Sequence, residues 1–321
     1  MIFAFTMFRL AGCTFSRLRI RGLGIALLFL LGMTGCSMFE PKHAAPAELP
    51  QHLAIFLSDD SPAFRRVAEE ITRQYGKPAE SFRLKDSSGT EETLRRLQRS
   101  AATHVVAIGL PAARAARQLK GKQIVFCQVS SHEEGSLVSA SMKGVRAMPP
   151  VREQFRAWRA LNPKLRGVGV ITGAQQTALL AEANQAAQEH GLNLIAVQVK
   201  SDRETFYAFK QLARRVQGLW LVPDNRVLSN AVLRDLMAYA VVEGKQVLAF
   251  NQELLNLGAL LSMESSPADI ASRVLARTRE APTVNVEVMP LTRAETRVNT
   301  MMMRRFGLKV PSGFEGKLHG S

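Results

Sequence analysis

Residues 217–263, QGLWLVPDNRVLSNAVLRDLMAYAVVEGKQVLAFNQELLNLGALLSM, decide the fold. Residues 218–222 read as a buried strand, and Pro223-Asp224-Asn225 breaks it. Leu228, Val232, Leu233, Leu236, Met237 and Ala240 then recur at helical spacing, and residues 246–250 form a second buried strand. This is a strand-helix-strand unit of the parallel kind. In sheets built from such units the ligand crevice lies beyond the carboxyl ends of the strands. Those ends carry Asp224, Asn225, Asn251 and Gln252.

The same alternation extends upstream. Residues 53–57 read as a strand, 58–61 as a polar loop, and 62–75 as a helix with Pro62 in its first turn and Phe64, Val67, Ala68 and Ile71 on one face. A weak strand at 82–84, a helix holding Leu94 and Leu97, a strand at 104–108, a helix at 111–119 and a strand at 123–127 follow. The rhythm breaks at 128–150, where 128–136 reads as loop, 143–146 as a short strand and Met148-Pro149-Pro150 as a turn. A second series then runs through 167–172, a helix at 175–190, a strand at 194–199 and a helix with Phe206, Phe209 and Leu212. Ser266-Pro267-Ala268-Asp269 is a helix start with a hydroxyl cap, a first-turn proline and a carboxylate. The pattern predicts an α/β protein of two doubly wound parallel-sheet lobes.

Residues 1–22 hold Arg9, Arg17, Arg19 and Arg21 without an acid; residues 23–31 are almost wholly apolar, and Gly32-Met33-Thr34-Gly35-Cys36 follows. That order predicts a secretory signal. Its ending resembles a bacterial lipobox, which implies lipidation of Cys36, removal of what precedes it and anchorage at the periplasmic face of the envelope. Ser37, not Asp, follows the cysteine, which favours the outer membrane. Of the three cysteines, Cys127 alone is then left to the mature domain as a thiol, so no intramolecular disulfide is expected. It ends an apolar run and reads as a buried hydrophobe.

About 285 residues follow Cys36, enough for two lobes. The formal charge of +15 drops to +11 without the four signal arginines. The remaining arginines are scattered along helices without interleaved aromatics, and export argues against nucleic acid as a partner. There is no GxSxG, HExxH or phosphate-binding GxxxxGK[ST] motif, and the six histidines lack ligand spacing. Asp59-Asp60 and Glu133-Glu134 are adjacent loop carboxylates without a partner base. No enzyme, cofactor or metal site is expected.

The order strand, Pro-Asp-Asn, Val-x-Ser-Asn helix, strand ending in Phe250, short helix and Gly-Ala-Leu-x-Ser resembles the ABC-transporter substrate-binding proteins of the tryptophan- and tyrosine-type. Leu161-Asn162-Pro163-Lys164 followed by Val168-Gly169-Val170 is similar to that family's entry into its second lobe. Val298-Asn299, then Phe306-Gly307-Leu308-Lys309-Val310-Pro311, is similar to its terminal helix and ending. The resemblance spans about residues 52–312 and implies a type I periplasmic binding protein fold with a hinge of several crossovers, one of them near Pro282. With the signal at 1–36 and a proline-rich, aperiodic tether at 37–51, it implies a first lobe of 52–146 plus 265–282, a second of 147–264 plus 283–315, and a tail at 316–321. Leu110 stands where the family has a hydroxyl residue, and Thr172-Gly173 where it has Asn-Pro. An aromatic amino acid is therefore not carried over as the ligand.

The strand-end loops place Ser58, Asp59, Leu110, Ala112 and Ser130 at the cleft from the first lobe, and Thr172, Ala174, Asp224, Asn225, Asn251 and Gln252 from the second. The helix starts after Pro111 and Gly173 offer backbone N–H groups to a carboxylate. Asp224 either accepts from a ligand ammonium or caps the following helix. Asn251 and Gln252 either contact the ligand or cap the helix after them. With these features, the resemblance implies a lipid-anchored solute-binding protein for a small polar, amino-acid-like ligand, working with an ABC permease or an envelope sensor. The alternative is a ligand-free or sensory module that binds another envelope protein. A cleft filled by Leu110 and Phe250 would favour the module.

Overall fold

The computed structural model describes residues 48–84, 87–281 and 288–320. The expected signal, Cys36, most of the tether and the expected crossover near Pro282 lie outside the described residues.

The chain runs β1 (Leu53–Leu57), α1 (Pro62–Tyr75), β2 (Glu80–Arg83), α2 (Ser87–Arg99), β3 (His104–Ile108), α3 (Leu110–Ala116), β4 (Gln123–Cys127), α4 (Ser131–Leu137) and β5 (Met142–Gly144). It continues with α5 (Val151–Leu161), β6 (Gly167–Thr172), α6 (Thr177–Glu189), β7 (Asn193–Gln198), α7 (Asp202–Ala213), β8 (Gly218–Trp220), α8 (Asn230–Val242) and β9 (Gln246–Ala249). After a 3-10 turn at Gln252–Leu255 come β10 (Leu261–Ser265), α9 (Pro267–Thr278), β11 (Ala294–Asn299), α10 (Thr300–Arg305) and β12 (Leu318–His319).

The strands form two sheets, one of order β2-β1-β3-β4-β5 and one of order β12-β11-β10-β9-β8-β6-β7. The first is parallel throughout. The second repeats the same order from β7 to β10 in parallel, then adds β11 antiparallel to β10. Alternating strand residues feed apolar cores on both faces of each sheet, as doubly wound lobes require. Cys127 is fully buried in one of them, and burial pushes its thiol up to about 12.

The stretch at 217–263 holds together through one close approach. A Cβ on Gly218 would stand 2.3 Å from Cζ2 of Trp158, so glycine lets α5 lie against β8. Both buried indoles are satisfied: Trp158 Nε1 donates to Gln246 Oε1 and Trp220 Nε1 to Gln154 Oε1, each at 2.9 Å.

Four sequence assignments move. Residues 131–136, expected as loop, fall in α4, a helix too short to show periodicity, with Glu133 and Glu134 in its first turn. Leu49 and Pro50, expected in the tether, belong to the first lobe: Leu49 packs on its core, and the Pro50 carbonyl accepts from the Tyr75 hydroxyl at 2.6 Å. The expected tail at 316–321 contains β12, which pairs with β11. Residues 288–291, expected in the second lobe, pack on the first: Met289 pairs with Val145, and Leu291 enters that lobe's core.

Among the described residues the chain thus passes between the lobes at 147–150, at 265–266 and at 292–293, and these passages are tied together. Ser265 Oγ donates to the Ala147 carbonyl. Asp269, buried in the first turn of α9, accepts from Thr292 N at 2.6 Å, Thr292 Oγ1 at 2.8 Å and Arg293 N at 2.9 Å.

Candidate ligand-binding site

Each sheet has a topological switch point, between β1 and β3 in the first lobe and between β6 and β8 in the second, where a ligand crevice is expected. In this protein a side chain of the chain itself engages a backbone N–H at each of them. Ser58 Oγ donates to the Ile108 carbonyl and accepts from Ala112 N, both at 2.9 Å. In the second lobe Asp224 Oδ2 accepts from Gly173 N at 3.1 Å and from Gln176 Nε2 at 3.3 Å. Arg226 completes that cluster, its Nε on Asp224 Oδ1 at 2.8 Å and Nη2 on Oδ2 at 2.6 Å. Burial raises the Asp224 carboxyl's pKa, but the bonds from Arg226, Gln176 and Gly173 outweigh it and hold the group below its usual range.

This geometry corrects the sequence assignment of Ser58, Ala112 and Asp224. The N–H groups of Ala112 and Gly173 are engaged internally, and Asp224 caps the turn that follows it, its Oδ1 accepting from Arg226 N at 3.3 Å, while Ser229 Oγ caps α8 by accepting from Val232 N at 3.3 Å. Arg226, two residues after Asp224, was the sequence signal for this. Asp59 is exposed and accepts from Ser61 N at 2.8 Å. Leu110 packs on the first-lobe core. Thr172 is buried, with its hydroxyl unpartnered, while Asn225 is exposed. Ala174 lines a separate surface depression with Lys200 and Arg226.

The interlobe cavity lies beside the switch points, at the ends of the fourth and fifth strands of each βα series and against the hinge. It measures about 340 Å³. Gln128, Val129 and Ser130 after β4 face it from the first lobe, with Arg66 and Val67 of α1. Phe250 and Asn251 after β9 and Met263 and Glu264 of β10 line it from the second, and Met148 and Pro149 from the hinge. Of the residues expected at the cleft, Ser130 and Asn251 reach this cavity. Asn251 also caps the 3-10 turn, its Oδ1 accepting from Glu253 N at 2.7 Å. Gln252 is exposed, and its N–H donates to Glu264 Oε1.

Charge of both signs meets in the cavity. Arg66 is exposed and makes no ion pair among the described residues. Glu264 is half-buried, one oxygen held by the Gln252 N–H. Both went unnoticed in the sequence because Arg66 reads as one more solvated helix arginine and Glu264 as the polar end of a strand. Gln128 adopts φ +57°, a left-handed backbone that few non-glycine residues take, and this turns the chain from β4 toward the cavity. Among the described residues no group of three His, Cys, Asp or Glu side chains is placed to hold a metal ion.

Two doubly wound lobes, three hinge passages and a cavity between the lobes define a two-lobed binding protein of the type I periplasmic class. Residues 80–274 match the family model of the ABC transporter substrate binding proteins, and the chain belongs to that family. No curated protein matches it. Among solved structures it is similar to a ligand-free, open substrate-binding protein with adhesive properties from Clostridium difficile, with 15% identity, a TM-score of 0.64, and 84% of this chain and 99% of that one covered. It is also similar to an ABC domain in complex with L-Trp from Streptococcus pneumoniae, with 15% identity, a TM-score of 0.60 and the same coverage. A conserved domain protein from Vibrio cholerae aligns at 16% identity with a TM-score of 0.57, over 83% of this chain and 98% of that one. At these identities the shared property is the fold.

Proposed function

We propose that this protein is the solute-binding component of an ABC-type transport system, that it takes a small amino-acid-like solute into the interlobe cavity, and that it is held at the envelope by lipid on Cys36. The observation that carries the solute reading is the cavity of about 340 Å³ with a cation, Arg66, and an anion, Glu264, on its walls. That volume lies at the small end of solute pockets. Arg66 would receive a carboxylate and the second oxygen of Glu264 an ammonium. Met148, Phe250 and Met263 supply apolar wall for a short side chain.

The test is mass spectrometry of solutes released from purified protein, followed by calorimetric titration of each compound found. The expected result is a small zwitterion at about one per chain, bound roughly ten- to a hundred-fold more weakly by Arg66→Gln, the scale of one charged hydrogen bond. Absence of any stoichiometric solute, together with no binding across the twenty amino acids and their simple derivatives, would sink the solute reading.

One observation favours the alternative of a ligand-free module: the switch-point amides are closed by Ser58 and Asp224. The open cavity favours the solute, since Leu110 packs in the core and Phe250 stands on the wall without filling it. For the anchor the support is the order of residues 1–36. Cys36→Ala should release the protein from the membrane fraction; unchanged fractionation would refute lipidation at that residue.

A further inference from the structure

A second, smaller interlobe cavity of about 40 Å³ lies where α4 of the first lobe meets α6 of the second. Glu134, Arg146 and Glu182 share its wall with Met148, Gln175 and Gln176. Glu134 is 6% exposed. Arg146, at the rim of the first lobe, donates through Nη1 to Glu182 Oε2, while its Nε is buried without an acceptor. The other oxygen of Glu182 accepts from Val151 N at 3.2 Å, so both of its oxygens are engaged. One guanidinium thus faces two carboxyl groups, and the one it binds directly belongs to the opposite lobe.

The electrostatics follow from that count. Burial pushes the Glu134 carboxyl up from 4.5 to about 7, with nearby Arg146 and the Ala147 N–H opposing and Glu182 adding to the rise. Glu133, next to Glu134, pairs with Arg114 at 2.9 Å and faces the charge of Arg226.

We propose that Glu134, Arg146 and Glu182 form a proton-linked latch that couples closure of the lobes to the uptake of one proton from solvent by Glu134. In the closed form Glu134 is enclosed by α6 beside Glu182; in an open form it is returned to water and an ordinary carboxylate pKa. The sign follows: closure binds a proton between pH 4.5 and about 7, so the closed form gains as pH falls through that window and loses as pH rises. Within the window the closed-to-open ratio changes by up to roughly tenfold per pH unit. The latch rests on the reading of the neighbouring cavity as a solute site that opens and closes.

The test uses purified protein dialysed free of solutes, so it stands apart from whether a solute is ever found. Carbon-detected carboxyl titration reads Glu134 directly, and small-angle scattering from pH 5 to 8.5 reads the lobe separation. The expected result is a Glu134 midpoint near pH 7, a radius of gyration that shrinks as pH falls through the same range, and a flat scattering response in Glu134→Gln. Glu182→Gln should lower the Glu134 midpoint by removing the like charge, a shift that a purely structural contact would not produce. A Glu134 midpoint in the ordinary carboxylate range, a lobe separation indifferent to pH, or a pH response that survives in Glu134→Gln would each overturn the latch.

Discussion

The carboxylate of Asp224 accepts a hydrogen bond from the backbone N–H of Gly173 at 3.1 Å, across 51 residues of chain. The bond joins the loops on either side of the second lobe's switch point. The first lobe does the same with Ser58 and Ala112. In both lobes a backbone N–H at the switch point is engaged from within, and the cavity between the lobes lies toward the hinge.

Asp224→Ala should therefore act on stability and leave solute binding alone. It removes the acceptor for Gly173, Gln176 and Arg226 together. Because the Arg226 side chain stays 32% exposed, the cost should be about 2–3 kcal/mol, below that of breaking a fully buried pair. Urea unfolding measures the loss, and calorimetry on the solute found above measures the affinity. A weakened affinity with unchanged stability would return Asp224 to the cavity wall.

Asp269→Ala should loosen the hinge. Three donors from Thr292 and Arg293 lose their acceptor, at a cost of about 2–4 kcal/mol. Trypsin should then cut after Arg293 at least several-fold faster than in the wild type. An unchanged rate at that bond, in a variant shown to be destabilised, would mean that the third passage is held by other contacts.

Acid should unfold the protein through these two aspartates. Burial raises each carboxyl, but hydrogen bonds prevail and hold both below the ordinary carboxylate range. A depressed carboxyl contributes stability that is present above its unfolded value and lost as pH falls through its folded one. Stability should thus drop below about pH 4. The drop should be shallower in Asp224→Asn and Asp269→Asn, which keep the shape but do not titrate. Equally steep acid curves in wild type and both variants would place the acid sensitivity elsewhere.

Gly109→Ala should destabilise by more than about 2 kcal/mol. Gly109 has φ +89°, and an added Cβ would stand 2.6 Å from Ser58 Oγ and 2.8 Å from the Phe64 ring. The substitution strains the backbone and displaces the hydroxyl that holds Ala112 N. A melting temperature within a degree of wild type would show that the loop relaxes freely.

The two-lobed parallel architecture was legible in the order of residues because it depends on local facts. Apolar runs of strand length, helical spacing such as that of Val232 to Ala240, and the proline starts at Pro62 and Pro267 each report on their own neighbourhood. The family resemblance rested on the same stretches. Helix α4 escaped because seven residues are too few for a period, and β12 because a two-residue strand is visible only beside its partner β11.

The site was less legible. Sequence could place Ser58, Ala112 and Asp224 at strand ends, since that follows from topology. It could not show which of their donors and acceptors remain open, because that depends on whether Gly173, 51 residues from Asp224, arrives at hydrogen-bond distance. Ser130 and Asn251 reach the cavity because their loops end the strands next to the hinge. Arg66, Glu264 and Glu134 were not, since an arginine on a helix and a glutamate at a strand or helix end look the same in sequence whether they face water or another lobe. Local chain chemistry by itself determined the elements and their order, which rest on neighbours within a few turns. Only the packing of the two lobes decided which charged groups meet across the cleft, because burial and the pairing of charges belong to both lobes at once.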